Sequence, residues 1–138
     1  MRAVLDPNIF ISAALSPKGA PAAVISEWLA GRFEAVTSPI LLGELDRAFA
    51  YPKLRKRVPQ SRADEYVNLI RKCSVNRDDP PAPPRVSRDS QDDYLIALAK
   101  QSEALLVSGD EDLLALAPGL PIFSAAEFLA WLEKYVDI

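Results

Sequence analysis

Four short acidic segments hold the side chains best suited to chemistry in this 138-residue chain. They are Val4-Leu5-Asp6-Pro7-Asn8, Leu42-Gly43-Glu44-Leu45, Asp92-Asp93-Tyr94-Leu95 and Val107-Ser108-Gly109-Asp110-Glu111-Asp112. Three of the four fall where an apolar run stops or a helical pattern begins. In an α/β fold such positions lie at the carboxyl ends of strands, where sites are built. Carboxylates gathered at one such edge repel each other unless a hard cation joins them, and oxygen-only ligand sets suit Mg²⁺ or Mn²⁺. The chain has no His and a single Cys, Cys73, so a zinc centre is nearly excluded. Ser/His/Asp and Cys/His catalysis are unavailable for the same reason. Any hydrolysis must run through carboxylates, a metal, or both.

The elements that must position these acids alternate between strand and helix. Ala3-Val4-Leu5 reads as a first strand ending at Asp6, followed by a helix from Ile9 to Leu15 with Asn8 as its cap. Pro21 to Ala30 is a second helix, with Pro in its first turn and Gly31 past its end. Phe33 to Thr37 is a strand candidate. Ser38 caps a helix running from Pro39 to about Tyr51, Glu44 lies inside it, and Pro52 ends it. Ser61 caps a further helix to Lys72, and Cys73 to Asn76 is a short strand. The run Pro80-Pro81-Ala82-Pro83-Pro84 excludes regular structure and reads as a surface loop, because each flank is too small to bury a core alone. A helix then runs from Ser90 or Asp92 to Gln101, and Ala104 to Val107 is a buried strand. A short helix covers Asp112 to Leu116, and Pro121 to Phe123 is a last strand. Ser124 caps a final helix, Ala125 to Tyr135, with Glu127 at the capping-box position. The alternation predicts one α/β domain over residues 1–138, a central mostly parallel sheet flanked by helices on both faces.

Composition agrees with a core of that size: 49% of residues are hydrophobic and 25% are charged. The apolar stretches are too short to span a bilayer. The first apolar run stops at Asp6, which does not fit a signal peptide, so a cytoplasmic protein without a membrane partner is expected. The net charge of −3 argues mildly against nucleic acid, less so if several acids belong to a metal site.

Taken singly, each acid has a plainer reading. Asp93 is also what a helix macrodipole favours in a first turn. Glu44 reads equally as a solvated helix residue, and Ser-Gly-Asp at 108–110 reads as a turn. Asp6 is harder to dismiss, because an acid ending the first strand of a parallel sheet points at the binding crevice. If the four converge, they can hold one or two Mg²⁺ or Mn²⁺ ions, with Asn8, Ser108 and Asp112 orienting ligands or waters. Lys53, Arg55, Lys56 and Arg57 form a basic cluster that offers phosphate contacts or, more plainly, a solvated helix end. Arg85 and Arg88 are further basic candidates. Trp28 and Trp131 sit in apolar helical patterns and read as core or interface residues rather than base-stacking platforms.

With these segments in place, the whole chain resembles the PIN-domain family, and more narrowly the VapC-like toxins of prokaryotic toxin–antitoxin systems. Val4-Leu5-Asp6-Pro7-Asn8-Ile9-Phe10 is similar to the family's opening strand motif, and Ser38-Pro39 through Glu44-Leu45 to its second acidic segment. Arg88 through Ala99 resembles the third segment, and Val107 through Leu113 the fourth. The resemblance implies a metal-dependent endoribonuclease whose catalytic and metal-binding residues are Asp6, Glu44, Asp93 and Asp110, using Mg²⁺ or Mn²⁺. Asp92 competes with Asp93 for the ligand role, Asp89 stands behind both, and Asp112 is a further acid at the fourth segment. Asp93 is preferred because it stands three residues before Ile96. The resemblance also implies an RNA substrate, a homodimer and a cognate antitoxin. One departure stands out: Pro7 occupies a position where the family often has Thr, so a hydroxyl and a backbone donor are missing there.

Two other enzyme or signalling classes also begin with an acid after a first strand. A haloacid-dehalogenase-like phosphatase needs an Asp and then a Thr where this chain has Asn8 and Phe10. A receiver-like domain wants paired N-terminal acids and a late Lys, whereas Asp6 stands alone and Phe123 leads into Ser124. A third alternative is a catalytically silent PIN-like module that binds RNA or a partner, with Pro7 as its support.

Overall fold

The computed structural model describes residues 1–81, 92–117 and 119–135. Strand β1, Arg2–Leu5, is the centre of a sheet, and Ala3, Val4 and Leu5 are fully buried. A strand apolar at successive positions has both faces covered, as parallel sheets require. β2 (Glu34–Thr37) and β4 (Leu105–Val107) flank it, with β3 (Val75–Asn76) outside β2 and β5 (Ile122–Phe123) outside β4. The order is therefore β3-β2-β1-β4-β5, and every pairing is parallel. Val4 sits opposite both Val36 and Leu106.

Eight helices are present among the described residues. α1 (Pro7–Leu15) and α2 (Ala20–Leu29) lead from β1 to β2; α3 (Pro39–Ala50), α4 (Pro52–Arg55) and α5 (Gln60–Cys73) lead to β3. α6 (Asp93–Gln101) precedes β4, α7 (Glu111–Leu114) follows it, and α8 (Ala125–Tyr135) follows β5. Parallel crossovers are right-handed, so the helices serving β2 and β3 cover one face and α6, which returns the chain to β4, covers the other. Phe10, Leu41, Leu95 and Phe128 are among the largest wholly buried side chains, each contributing about 1.5–3 kcal/mol by area removed from water. Trp28 is buried against Phe10, ring centroids 5.9 Å apart, and the half-buried Trp131 stacks on Phe128 at 6.4 Å. Neither indole is a free platform. Among the described residues, no single helix is long and apolar enough to cross a membrane.

Several helix ends differ from the sequence reading. α1 starts at Pro7, and its cap is Asp6 rather than Asn8: the Asp6 carboxylate accepts from the Asn8 backbone N–H at 3.0 Å. Pro occupies the first helical position there, where its missing N–H would have no partner anyway. Pro52 does end α3, but it also opens α4. α5 starts at Gln60 after Pro59, and Ser61 makes no cap. α7 starts at Glu111, and Asp110 caps it. The remaining caps are as expected. Ser38 Oγ accepts from Leu41 N at 3.3 Å, and Ser124 and Glu127 bond reciprocally at 2.9 and 3.2 Å.

Candidate functional site at the sheet's switch point

The chain runs from β1 out to β2 and β3, then returns to β4 on β1's other side. That reversal makes the carboxyl ends of β1 and β4 the switch point of the sheet, the place where open α/β sheets bind ligands. Asp6 is the first residue past β1, and its backbone N–H donates to Val107 at the end of β4 at 2.9 Å. Ser108 is the first residue past β4. Its hydroxyl donates to Asp6 Oδ2 at 2.8 Å and accepts from the Asp110 N–H at 3.0 Å. Asp110 Oδ1 in turn accepts from the Asp112 N–H at 2.8 Å. One polar chain thus joins Asn8, Asp6, Ser108, Asp110 and Asp112 across the switch point.

Asp6 is 4% exposed. Burial pushes its carboxyl pKa upward, the bonds from Asn8 and Ser108 pull it back, and the charge of Asp110 pushes it up again. A buried acid whose ionisation is opposed by burial and by a neighbouring acid has a stated physical claim to be functional.

Glu44 lies half-buried within α3, and its Oε2 accepts from the Tyr94 hydroxyl at 2.9 Å. Tyr94 is buried in the first turn of α6, next to Asp93, which is 3% exposed. Burial holds the Tyr94 phenol well above its ordinary pKa. The charge and hydrogen bond of Glu44 add to this, followed by the charges of Asp6 and Asp79. Asp79 also caps α3, its Oδ2 accepting from Ile40 N at 2.9 Å. Asp92 and Asp112 are half-buried, and Asn8 is exposed. Tyr94 and Asp79 have no role in the sequence reading. An aromatic residue directly after an acid pair was the available sign for Tyr94; Asp79 sat in a stretch legible only as loop.

Among the described residues, no three acidic or Cys side chains are gathered closely enough to enclose a metal ion. The donor set is nonetheless all oxygen, and Mg²⁺ keeps several waters while taking only one or two carboxylates. The Asp6–Asp110 pair fits that mode of binding, whereas a closed protein cage does not.

The basic cluster lies at the far end of α3, about 18 Å along that helix from Ser38 at 1.5 Å per residue. Arg55 Nε donates to Phe49 O and Arg57 Nη2 to Leu15 O, both at 3.1 Å, so these two close the ends of α3 and α1. Lys53 and Lys56 are exposed. Arg85, Arg88 and Asp89 lie outside the described residues. An apolar hollow of about 250 Å³, lined by Ile96, Ala99, Leu105 and Ile122, lies at the opposite, amino-terminal end of β4 and β5.

A parallel, doubly wound sheet with acids at its switch point defines the class. A PIN-domain family profile matches residues 2–112, and the chain belongs to the PIN-domain family, whose members are in general nucleases. It is 29% identical over 148 aligned positions to the uncharacterized protein MJ1680 of Methanocaldococcus jannaschii, covering 99% of this chain and 95% of that one. The crystal structure of PAE2754 from Pyrobaculum aerophilum superposes with a TM-score of 0.70 at 19% identity, covering 97% of this chain and 90% of that one. VapBC2 from Rickettsia felis, bound to a DNA fragment from their promoter, gives a TM-score of 0.63 at 16% identity over 90% of this chain and 98% of its own. At these identities the likeness to the solved structures is one of fold.

Proposed function

We propose that the chain is a metal-dependent endoribonuclease, the toxin of a toxin–antitoxin pair, with Asp6, Glu44, Asp93 and Asp110 as its catalytic and metal-binding acids. The observation that carries this reading is the buried Asp6 carboxylate at the switch point, bonded to Ser108 and in the field of Asp110. When bound, Mg²⁺ or Mn²⁺ supplies a water of lowered pKa and neutralises charge developing on the phosphoryl oxygens. The protein's own residues fix the frame. Ser108 donates its one proton to Asp6 and accepts from Asp110 N, so one hydroxyl ties the Asp6 carboxylate to the Asp110 backbone. Tyr94 holds Glu44. With no His in the chain, proton transfer falls to carboxylates and water. Lys53 and Lys56 are exposed and able to meet an RNA backbone, and Arg55 and Arg57 each commit one of five N–H donors to a helix end.

The fold shared with the VapBC2 protein supports a cognate antitoxin as partner, and a homodimer and a cytoplasmic location belong to the same reading. The silent-module alternative is not favoured, and of its support at Pro7 only the missing hydroxyl stands. Pro7 stands where a backbone donor is not needed, and all four acids are present.

The test is cleavage of a structured RNA panel with Mg²⁺ or Mn²⁺, beside Asp6→Asn and an EDTA control. Metal-dependent cleavage that falls in the variant by at least the ~10–100-fold typical of losing even an outer-sphere partner supports the reading. Full activity in Asp6→Asn refutes the metal site, and no cleavage from metal-loaded wild type across the panel counts against the nuclease.

A further inference from the structure

We infer that Tyr94 is a positioning residue: its hydroxyl fixes the Glu44 carboxylate at the carboxyl edge of the sheet and thereby sets the affinity of the site for a divalent cation. The inference rests on the nuclease reading above and deepens it, adding a residue to the four acids. Glu44 projects from α3, which follows β2; Tyr94 projects from α6, which precedes β4. Right-handed crossovers assign those two helices to opposite faces of the sheet. The 2.9 Å bond from Tyr94 Oη to Glu44 Oε2 ties them together over the strand ends, 50 residues apart in sequence.

The two partners differ in stiffness. Glu44 is a half-buried side chain with three rotatable bonds, so holding its carboxylate in one place costs rotamer freedom. Tyr94 is 6% exposed, its ring held among buried neighbours on a helix whose next residues, Leu95 and Ile96, are also in the core. A rigid donor therefore fixes a flexible acceptor. The donor is also neutral, so it orients the carboxylate without cancelling the charge that a cation needs. Tyr94 directly follows Asp93 in the buried first turn of α6, so the bond ties Glu44 to the residue next to another of the four acids. Partners that orient ligands in this way typically change metal affinity by about 10–100-fold when removed.

The experiment titrates Mn²⁺ alone into the full-length wild type, Tyr94→Phe, Glu44→Gln and the double variant, by calorimetry, with circular dichroism to establish folding. Phe keeps the buried ring and deletes only the hydroxyl. The expected result is a Kd for Mn²⁺ raised about 10–100-fold in Tyr94→Phe, with no further rise when the change is added to Glu44→Gln. RNA cleavage by Tyr94→Phe should fall at limiting Mn²⁺ and recover at saturating Mn²⁺, which a residue acting on the chemical step would not allow. Wild-type affinity in folded Tyr94→Phe, or additive losses in the double variant, overturns the inference. So does a wild type that binds no Mn²⁺. Tyr94-dependent Mn²⁺ binding without cleavage of any RNA instead removes the nuclease reading and leaves the positioning role standing.

Discussion

Replacing Glu103 by Gly should make the protein more stable. α6 ends in a paired closure in which Ala104 N donates to Ala99 O at 2.8 Å and Glu103 N to Lys100 O at 3.2 Å. That pattern places Glu103 where the backbone must turn left-handed, and its φ is +52°. α2 ends the same way, Arg32 N donating to Glu27 O at 3.0 Å and Gly31 N to Trp28 O at 2.9 Å, but there the left-handed residue is Gly31, at φ +84°. A residue with a side chain costs about 1–2 kcal/mol in that conformation. Glycine returns about 0.5–1 kcal/mol of this through the greater freedom of the unfolded chain, leaving a net gain of about 0.5–1 kcal/mol. Glu103 is exposed, so little packing is lost with its side chain. At a urea m-value of about 2 kcal/mol/M, Glu103→Gly should raise the midpoint by about 0.3–0.5 M with m unchanged. Gly31→Ala is the mirror control, and since nothing lies within 4 Å of a Cβ there, its destabilisation should be purely conformational. A midpoint that falls or stays put in Glu103→Gly, while Gly31→Ala destabilises, would refute the reasoning.

Asp6→Asn in EDTA should raise the urea midpoint, because burial and the charge of Asp110 both oppose the ionised carboxylate. A lower midpoint would mean that the bonds from Asn8 and Ser108 outweigh burial and the Asp110 charge. Glu127 supplies a dependence of the opposite sign. Its bonds to Ser124 hold its pKa below the ordinary value, so the unfolded chain binds the proton more readily. The stability it adds is therefore present above the unfolded pKa and lost as pH falls through the folded one. Stability curves of wild type and Glu127→Gln should differ at neutral pH and converge in acid; a constant gap would contradict the capping box.

What the sequence made legible was local. Asp6 and Asp110 stood at the ends of apolar runs, and Ser38 and Ser124 stood before helical patterns with the right chemistry. Sequence spacing alone could not supply the sheet order, because β1 pairs with β4 across about a hundred intervening residues. That pairing is what makes Asp6 and Ser108 neighbours. Tyr94 and Asp79 gained their roles from contacts 50 and 39 residues away, which no local pattern encodes. The basic cluster shows the converse. Its charges were plain in the sequence, but Arg55 and Arg57 were drawn to the nearest orphan carbonyls at the ends of α3 and α1.

Asp6 and Asp110 are held by one device used twice. Each follows a strand, each caps the helix that comes next, and each accepts through Oδ1 from the N–H two residues on. A helix start favours a negative charge, which offsets part of the cost of keeping two acids at one switch point. Capping and charge can be separated by the choice of substitution. Asn keeps the accepting oxygen and loses the charge, whereas Ala loses both, at about 1 kcal/mol for the cap alone. Asp6→Asn and Asp110→Asn therefore report on the site's charge with the helix starts intact. The corresponding Ala variants mix a loss of chemistry with a loss of fold, and a dead Ala variant by itself would say little about which acid binds the metal.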